Sequence, residues 1–147
     1  MIWKTRGIAA ALMTLVPSSA LLAADITVHR DPGCGCCTKW AEQVKAQFGR
    51  KVRIIDDANR EAFARQRGVP ADRASCHTAV IDGMSFEGHV PIADIKRVLA
   101  QRPKGVSGLA VAGMPLGSPG MEMPGLNAQR YEVVAFGPSG RRVFAHH

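Results

Sequence analysis

The stretch Asp31-Pro-Gly-Cys-Gly-Cys-Cys-Thr-Lys-Trp40 constrains the fold more than any other, because it reads as a strand-to-helix corner. The apolar run Ile26 to Val28 ahead of it reads as a strand, and Pro32 and Gly33 supply the turn that stops it. Behind it Trp40, Val44 and Phe48 recur at four-residue spacing on one face of a helix. A further apolar run follows at Val52, Ile54 and Ile55. Strand, helix and strand in that order require a parallel pair joined by a right-handed crossover. The chain is thereby committed to an α/β architecture.

The remaining elements follow from similar signals. Asp25 to Arg30 is the first strand, Cys34 to Phe48 the first helix, closed by Gly49, and Lys51 to Ile55 the second strand. Asp56 and Asp57 are candidate N-caps for a helix over Ala58 to Arg67, which Gly68 and Pro70 end. After a polar connection from Ala71 to Ser75, Cys76 to Ile81 and Ser85 to His89 pair across the turn signal Asp82-Gly83. Pro91 opens a third helix with a buried stripe at Ile92, Ile95, Val98 and Leu99. The order β-α-β-α-β-β-α is that of the thioredoxin fold, with the cysteine cluster at its active-site corner. That fold brings the segment ahead of its third strand against the same corner. His77 falls where thioredoxins carry a cis-proline, so Cys76 is expected to face Cys34. From Pro103 to Gly125 the chain turns rich in Gly, Pro and Met and reads as a long packed loop. Tyr131 to Phe136 and Arg141 to Ala145 read as a C-terminal β-hairpin around Gly137-Pro-Ser-Gly140.

The corner has chemical consequences. The first turn of a helix presents free N–H groups and the positive end of the helix dipole. Both favour thiolate, the form that attacks disulfides and binds metals. Cys34 and Cys37 have the C-x-x-C spacing of a thiol–disulfide redox pair, but the intervening Cys36 does not belong to such a pair. Cys36 and Cys37, neighbours on a helix, point about 100° apart. They converge poorly on one tetrahedral zinc ion and suit neighbouring ions bridged by sulfur. Thiolate and thioether ligands select soft metals, Cu(I) among them. The spacing therefore favours a polynuclear copper–thiolate site built from Cys34, Cys36, Cys37 and Cys76. Met114, Met121 and Met123 are candidate thioether ligands, or apolar filler of a lid. His77 and His89 are candidate ligands, weighed against hydrogen-bonded structural roles, and His29 reads as solvent-facing. Glu87 and Asp82 have no carboxylate partner of the kind acid–base catalysis uses.

Composition narrows the alternatives. The chain has 147 residues, 46% hydrophobic and 21% charged, which is enough for one domain with a real core and argues against disorder. Its formal charge of +7 is spread along the sequence without an aromatic-interleaved basic patch, so nucleic acid is not an expected partner. Lys4 and Arg6, the apolar run Ile8 to Val16 and the small pair Ala23-Ala24 form a secretory signal pattern over residues 1–24, with an uncleaved anchor as the alternative. Residues 25–147 then form a single exported domain without stable membrane insertion. Disulfides persist outside the cytoplasm, but cysteines packed this closely close loops too small to staple a fold.

Four separated motifs occur in order: Cys34-Gly-Cys-Cys with Trp40; Cys76-His-Thr-Ala-Val with Asp82-Gly; Glu87-Gly-His-Val-Pro91; and Gly108 to Glu122. Together they resemble the CopG-like periplasmic copper-resistance proteins, a thioredoxin-like domain long catalogued as one of unknown function. The resemblance implies that Cys34, Cys36, Cys37 and Cys76 hold a cysteine-bridged copper cluster in the periplasm. It also implies a part in copper resistance through copper binding coupled to Cu(I)/Cu(II) redox change. Two other readings stay open. One is a thiol–disulfide oxidoreductase using Cys34 and Cys37, with Cys36 or Cys76 as resolving thiol. The other is a metallochaperone that passes copper to periplasmic partners through its Met-rich loop.

Overall fold

The corner read from the sequence is where strand β1 (Ile26–Arg30) hands the chain to helix α1 (Gly35–Phe48). The computed structural model describes residues 24–147, so the expected leader lies almost wholly outside the described residues. Gly49 ends α1 in the left-handed conformation, at φ 61°, with its N–H on the Lys45 carbonyl. Cys37, Trp40, Ala41 and Val44 form the buried stripe of α1, the i, i+3, i+4, i+7 pattern of one helical face. Strand β2 (Val52–Asp56) returns parallel to β1, and helix α2 (Arg60–Gln66) follows. This helix is shorter than its sequence pattern, because Asp57 accepts the Asn59 N–H in a local turn and Asn59 becomes the cap residue.

Strands β3 (His77–Ile81) and β4 (Met84–Glu87) form the expected hairpin, with Asp82 and Gly83 both at positive φ as its tight turn requires. Helix α3 (Ile92–Gln101) starts at Pro91 and buries Ile95 and Val98. Up to this point the element order is the expected one. The loop from Pro103 to Gly125 departs from expectation, because Gly108–Ala110 is a strand, β5, paired parallel to β4. Strand β6 (Glu132–Gly137) pairs antiparallel to β5, and β7 (Gly140–His146) completes the terminal hairpin.

All seven strands form one mixed sheet in the order β2-β1-β3-β4-β5-β6-β7. Side chains alternate across it. Val28, Ala79, Phe86, Leu109 and Ala135 join Trp40 and Val44 of α1 and Ile95 and Val98 of α3 in the main core. Ala110 and Phe136 point to the other face, where they pack with Ala64 of α2 and Val69. Helices thus cover both faces, and β3 and β4 are buried almost throughout. No helix among the described residues is long and apolar enough to cross a membrane.

Candidate metal centre

The sheet order places the end of β1 beside the start of β3, and this register assembles the site. Arg30 pairs with His77 across the two strands, and the Asp31 N–H donates to the Cys76 carbonyl at 3.0 Å. The Cys34 N–H turns back onto the Asp31 carbonyl at 3.1 Å, which places Cys34 at the N-cap of α1. Arg30 fixes the same turn through the Cys34 carbonyl, at 2.8 Å, and the Thr38 hydroxyl. Cys37 lies on the buried face of α1, whereas Cys34 and Cys36 are partly exposed.

The sulfurs of Cys34, Cys36, Cys37 and Cys76 all lie within 4.8 Å of one another. Cys34 and Cys37 are joined by a disulfide, and Cys36 and Cys76 are free thiols. The Cys36 sulfur is 3.3 Å from that of Cys34. Burial, with Cys36 close by, pushes the Cys76 thiol up to about 12. It is therefore a proton donor, and its acceptor is defined. His89 Nδ1 donates to the Pro119 carbonyl at 2.8 Å, which leaves the Nε2 lone pair facing the Cys76 sulfur at 3.2 Å. Burial lowers the affinity of His89 for a second proton. His77 Nδ1 lies 3.5 Å from the same sulfur, and Cys76, His77 and His89 form a second close group with sulfur and nitrogen donors. The His77 ring sits fully buried against Trp40, with centroids 4.5 Å apart, and its Nε2 is without a hydrogen-bond partner among the described residues.

The loop after β5 roofs the site. Met114 Sδ is 3.8 Å from the Cys36 sulfur, while Met121 and Met123 make no such contact with a cysteine among the described residues. Glu122 ties the loop to α1 by accepting from Gln43 at 2.9 Å and from the Gly120 N–H at 2.8 Å. Gly120 has φ +85°, and a side chain there would meet the Cys36 carbonyl at 2.7 Å and the Trp40 backbone nitrogen at 2.9 Å. Gly120→Ala is therefore expected to cost about 1–3 kcal/mol in urea unfolding, and to expose the loop to limited proteolysis.

The remaining histidines lie away from the sulfurs, and one departs from expectation. His29 does not face solvent: its ring stacks on Phe63 at 3.8 Å and its Nδ1 lies 2.9 Å from Asp57. His147 is engaged with Asp94 at 2.7 Å, and His146 is exposed near Glu132. Sequence reasoning missed the role of Glu87. It is fully buried and accepts from Arg60 at 3.0 Å, from the Ser75 N–H at 2.7 Å and from the Thr78 hydroxyl at 2.5 Å.

With the Cys34–Cys37 disulfide reduced, four sulfurs with imidazole and thioether at their margin would match the donor preference of a soft metal. Residues 73–121 match a family described as a protein of unknown function, DUF411. Two solved structures are similar, both of a copper resistance protein, CopG, in its forms 1 and 2. Form 1 is 44% identical, with a TM-score of 0.77, over 85% of this chain and 98% of that one. Form 2 is 44% identical, with a TM-score of 0.76, over 84% and 97%. Among curated proteins none matches.

Proposed function

From the premise that this chain belongs to the family of the copper resistance protein CopG, we propose that it is an exported copper-binding protein contributing to copper resistance. Its Cys34, Cys36, Cys37 and Cys76 hold a sulfur-bridged Cu(I) cluster. The observation that carries this reading is the convergence of the Cys76 sulfur with the three at the tip of α1, all within 4.8 Å. Reduction of the Cys34–Cys37 disulfide by an external dithiol, which is itself oxidised to a disulfide as it delivers two electrons and two protons, supplies the full thiol set. Each thiol then gives up its proton as it binds metal. His89 and Met114, which already touch Cys76 and Cys36, are the best placed additional donors. In this reading residues 1–24 are the export signal and residues 25–147 a single thioredoxin-like domain. The element order and the sheet order β2-β1-β3-β4 support that assignment.

A specific observation favours a second reading, thiol–disulfide exchange. The Cys34–Cys37 pair is oxidised, and the Cys36 sulfur is 3.3 Å from Cys34. Attack of the Cys36 thiolate on Cys34 would form a Cys34–Cys36 bond and release Cys37 as thiolate. Both readings hold together if copper redox change and disulfide exchange share these sulfurs.

Anaerobic Cu(I) titration of the reduced protein, with elemental analysis, separates them. More than one Cu(I) per chain is expected, and fewer in Cys76→Ser. No uptake, with disulfide reductase activity instead, would leave the second reading alone.

A further inference from the structure

We infer that Arg60 and Glu87 are positioning residues for this site: they clamp the segment carrying Cys76 onto the turn carrying Cys34. Neither touches a sulfur. Their hydrogen bonds close a chain between the two sulfur-bearing segments. Arg60 Nε donates to Asp31 at 2.7 Å, and Arg60 Nη1 to Glu87 at 3.0 Å. Glu87 then holds both flanks of Cys76, through the Ser75 N–H at 2.7 Å and the Thr78 hydroxyl at 2.5 Å. Asp31 completes the circuit, since its own N–H holds the Cys76 carbonyl and its carbonyl holds the Cys34 N–H.

Physical economy points the same way. Arg60 is 3% exposed and Glu87 is 0% exposed, so both groups have lost nearly all their water. Well-packed apolar residues in their place would often stabilise a fold as well or better. What an apolar pair lacks is direction. A carboxylate that accepts three hydrogen bonds from two segments, one from α2 and two from either side of Cys76, fixes their mutual position as dispersion contacts do not. Arg60 is the first residue of α2, Asp31 opens the turn after β1, and Ser75 and Thr78 bracket Cys76. The clamp therefore joins α2, the cysteine turn and the approach to β3 at a point where sequence-distant sulfurs must meet.

This inference deepens the copper reading, but its first test needs no metal. With Cys34 and Cys37 bonded, Cys36 and Cys76 are the free thiols. Their alkylation by iodoacetamide in a chelating buffer can be followed separately by peptide mass analysis. Glu87→Gln keeps the side chain's shape and removes its charge. It is expected to raise the Cys76 rate about tenfold, on the scale of a lost charge-assisted hydrogen bond, and to leave Cys36 within about twofold. An unchanged Cys76 rate, or an equal rise at both cysteines, would overturn the clamp, the latter being general loosening. Should Glu87→Gln fail to fold, Thr78→Val decides, because it removes one hydrogen bond and leaves the ion pair. About a threefold rise at Cys76 alone is expected, and no rise overturns the inference. The copper arm is competition for Cu(I) against a colorimetric chelator. Glu87→Gln should bind about tenfold more weakly than the parent protein, and equal affinity would overturn the clamp's bearing on copper. A parent protein that takes no Cu(I), while Cys76 still responds to Glu87→Gln, would sink the copper reading and leave the clamp standing.

Discussion

Trp40→Ala is expected to lower the unfolding free energy by about 3–5 kcal/mol, the range for removing a large buried ring. Trp40 is 0% exposed and sits in the main core beneath the sheet. Its indole N–H donates to the Val90 carbonyl at 3.0 Å, the link between α1 and the chain just ahead of α3. The substitution removes the ring's dispersion contacts, leaves a cavity and orphans that carbonyl. Domains of this size have about 5–15 kcal/mol in all, so about a fifth or more of the stability is at stake. Trp40→Phe weights the terms differently, because it loses the hydrogen bond but keeps most of the apolar contact. About 1–2 kcal/mol is expected for it. Urea unfolding followed by circular dichroism measures both. A Trp40→Ala cost under about 1 kcal/mol would mean that the ring is not the keystone these contacts make it.

The loss should also reach the sulfurs. Cys37 is one turn ahead of Trp40 on the same buried face, and the His77 ring beside Cys76 packs on the indole. Stability and site geometry thus share a side chain, and this is why the corner was so readable. Apolar spacing alone places Cys37 inward and Cys36 outward, since both follow from the 3.6-residue period that carries Trp40 and Val44. The hairpin turn at Asp82-Gly83 and the stop at Gly49 were equally legible, because each depends on a backbone conformation that few residues adopt.

What stayed hidden depends on partners distant in sequence. Gly108-Leu-Ala110 carries no strand signature of its own. It is a strand because β4 and β6 pair with its backbone on both sides. That omission explains why the surroundings of Glu87 were not legible. In Met84-Ser-Phe-Glu87 the polar residues alternate with the apolar ones, as on a strand with one wet face. With β5 beside it, β4 becomes interior, and Ser85 and Glu87 face covered space instead of water. A lone Arg at the start of α2 then has a reason to be there. The histidines illustrate the same limit. Sequence offered His77 and His89 as candidates without ranking them, whereas the contact of His89 with the Pro119 carbonyl fixes its tautomer and aims its free nitrogen at Cys76.

Arg60→Met should cost about 3–5 kcal/mol, the usual penalty for stranding a buried charge. The cost arises less from the lost guanidinium than from Glu87, left without its cation in a site with 0% exposure. A double substitution tests that attribution. Arg60→Met with Glu87→Gln removes both charges, keeps an amide oxygen for the Ser75 N–H and lets the amide NH2 donate to the Thr78 hydroxyl oxygen, so it is expected to be more stable than Arg60→Met alone by about 1 kcal/mol or more. Acidity offers an independent check. Burial pushes the Glu87 carboxyl above its ordinary range, against the opposing pull of Thr78, Ser75 and Arg60. Without Arg60 the rise is larger, so folded Arg60→Met binds a proton that the unfolded chain releases over the interval between their two pKa values. Its stability deficit is then largest above the folded pKa and shrinks as pH falls toward the unfolded one. Unfolding curves from neutral to mildly acidic pH should show Arg60→Met converging on the parent protein, while the double variant, with no carboxyl at position 87, shows no such convergence. A deficit independent of pH, with no recovery in the double variant, would mean that Arg60 acts by packing alone, and that the charges of this pair do not hold the two sulfur-bearing segments together.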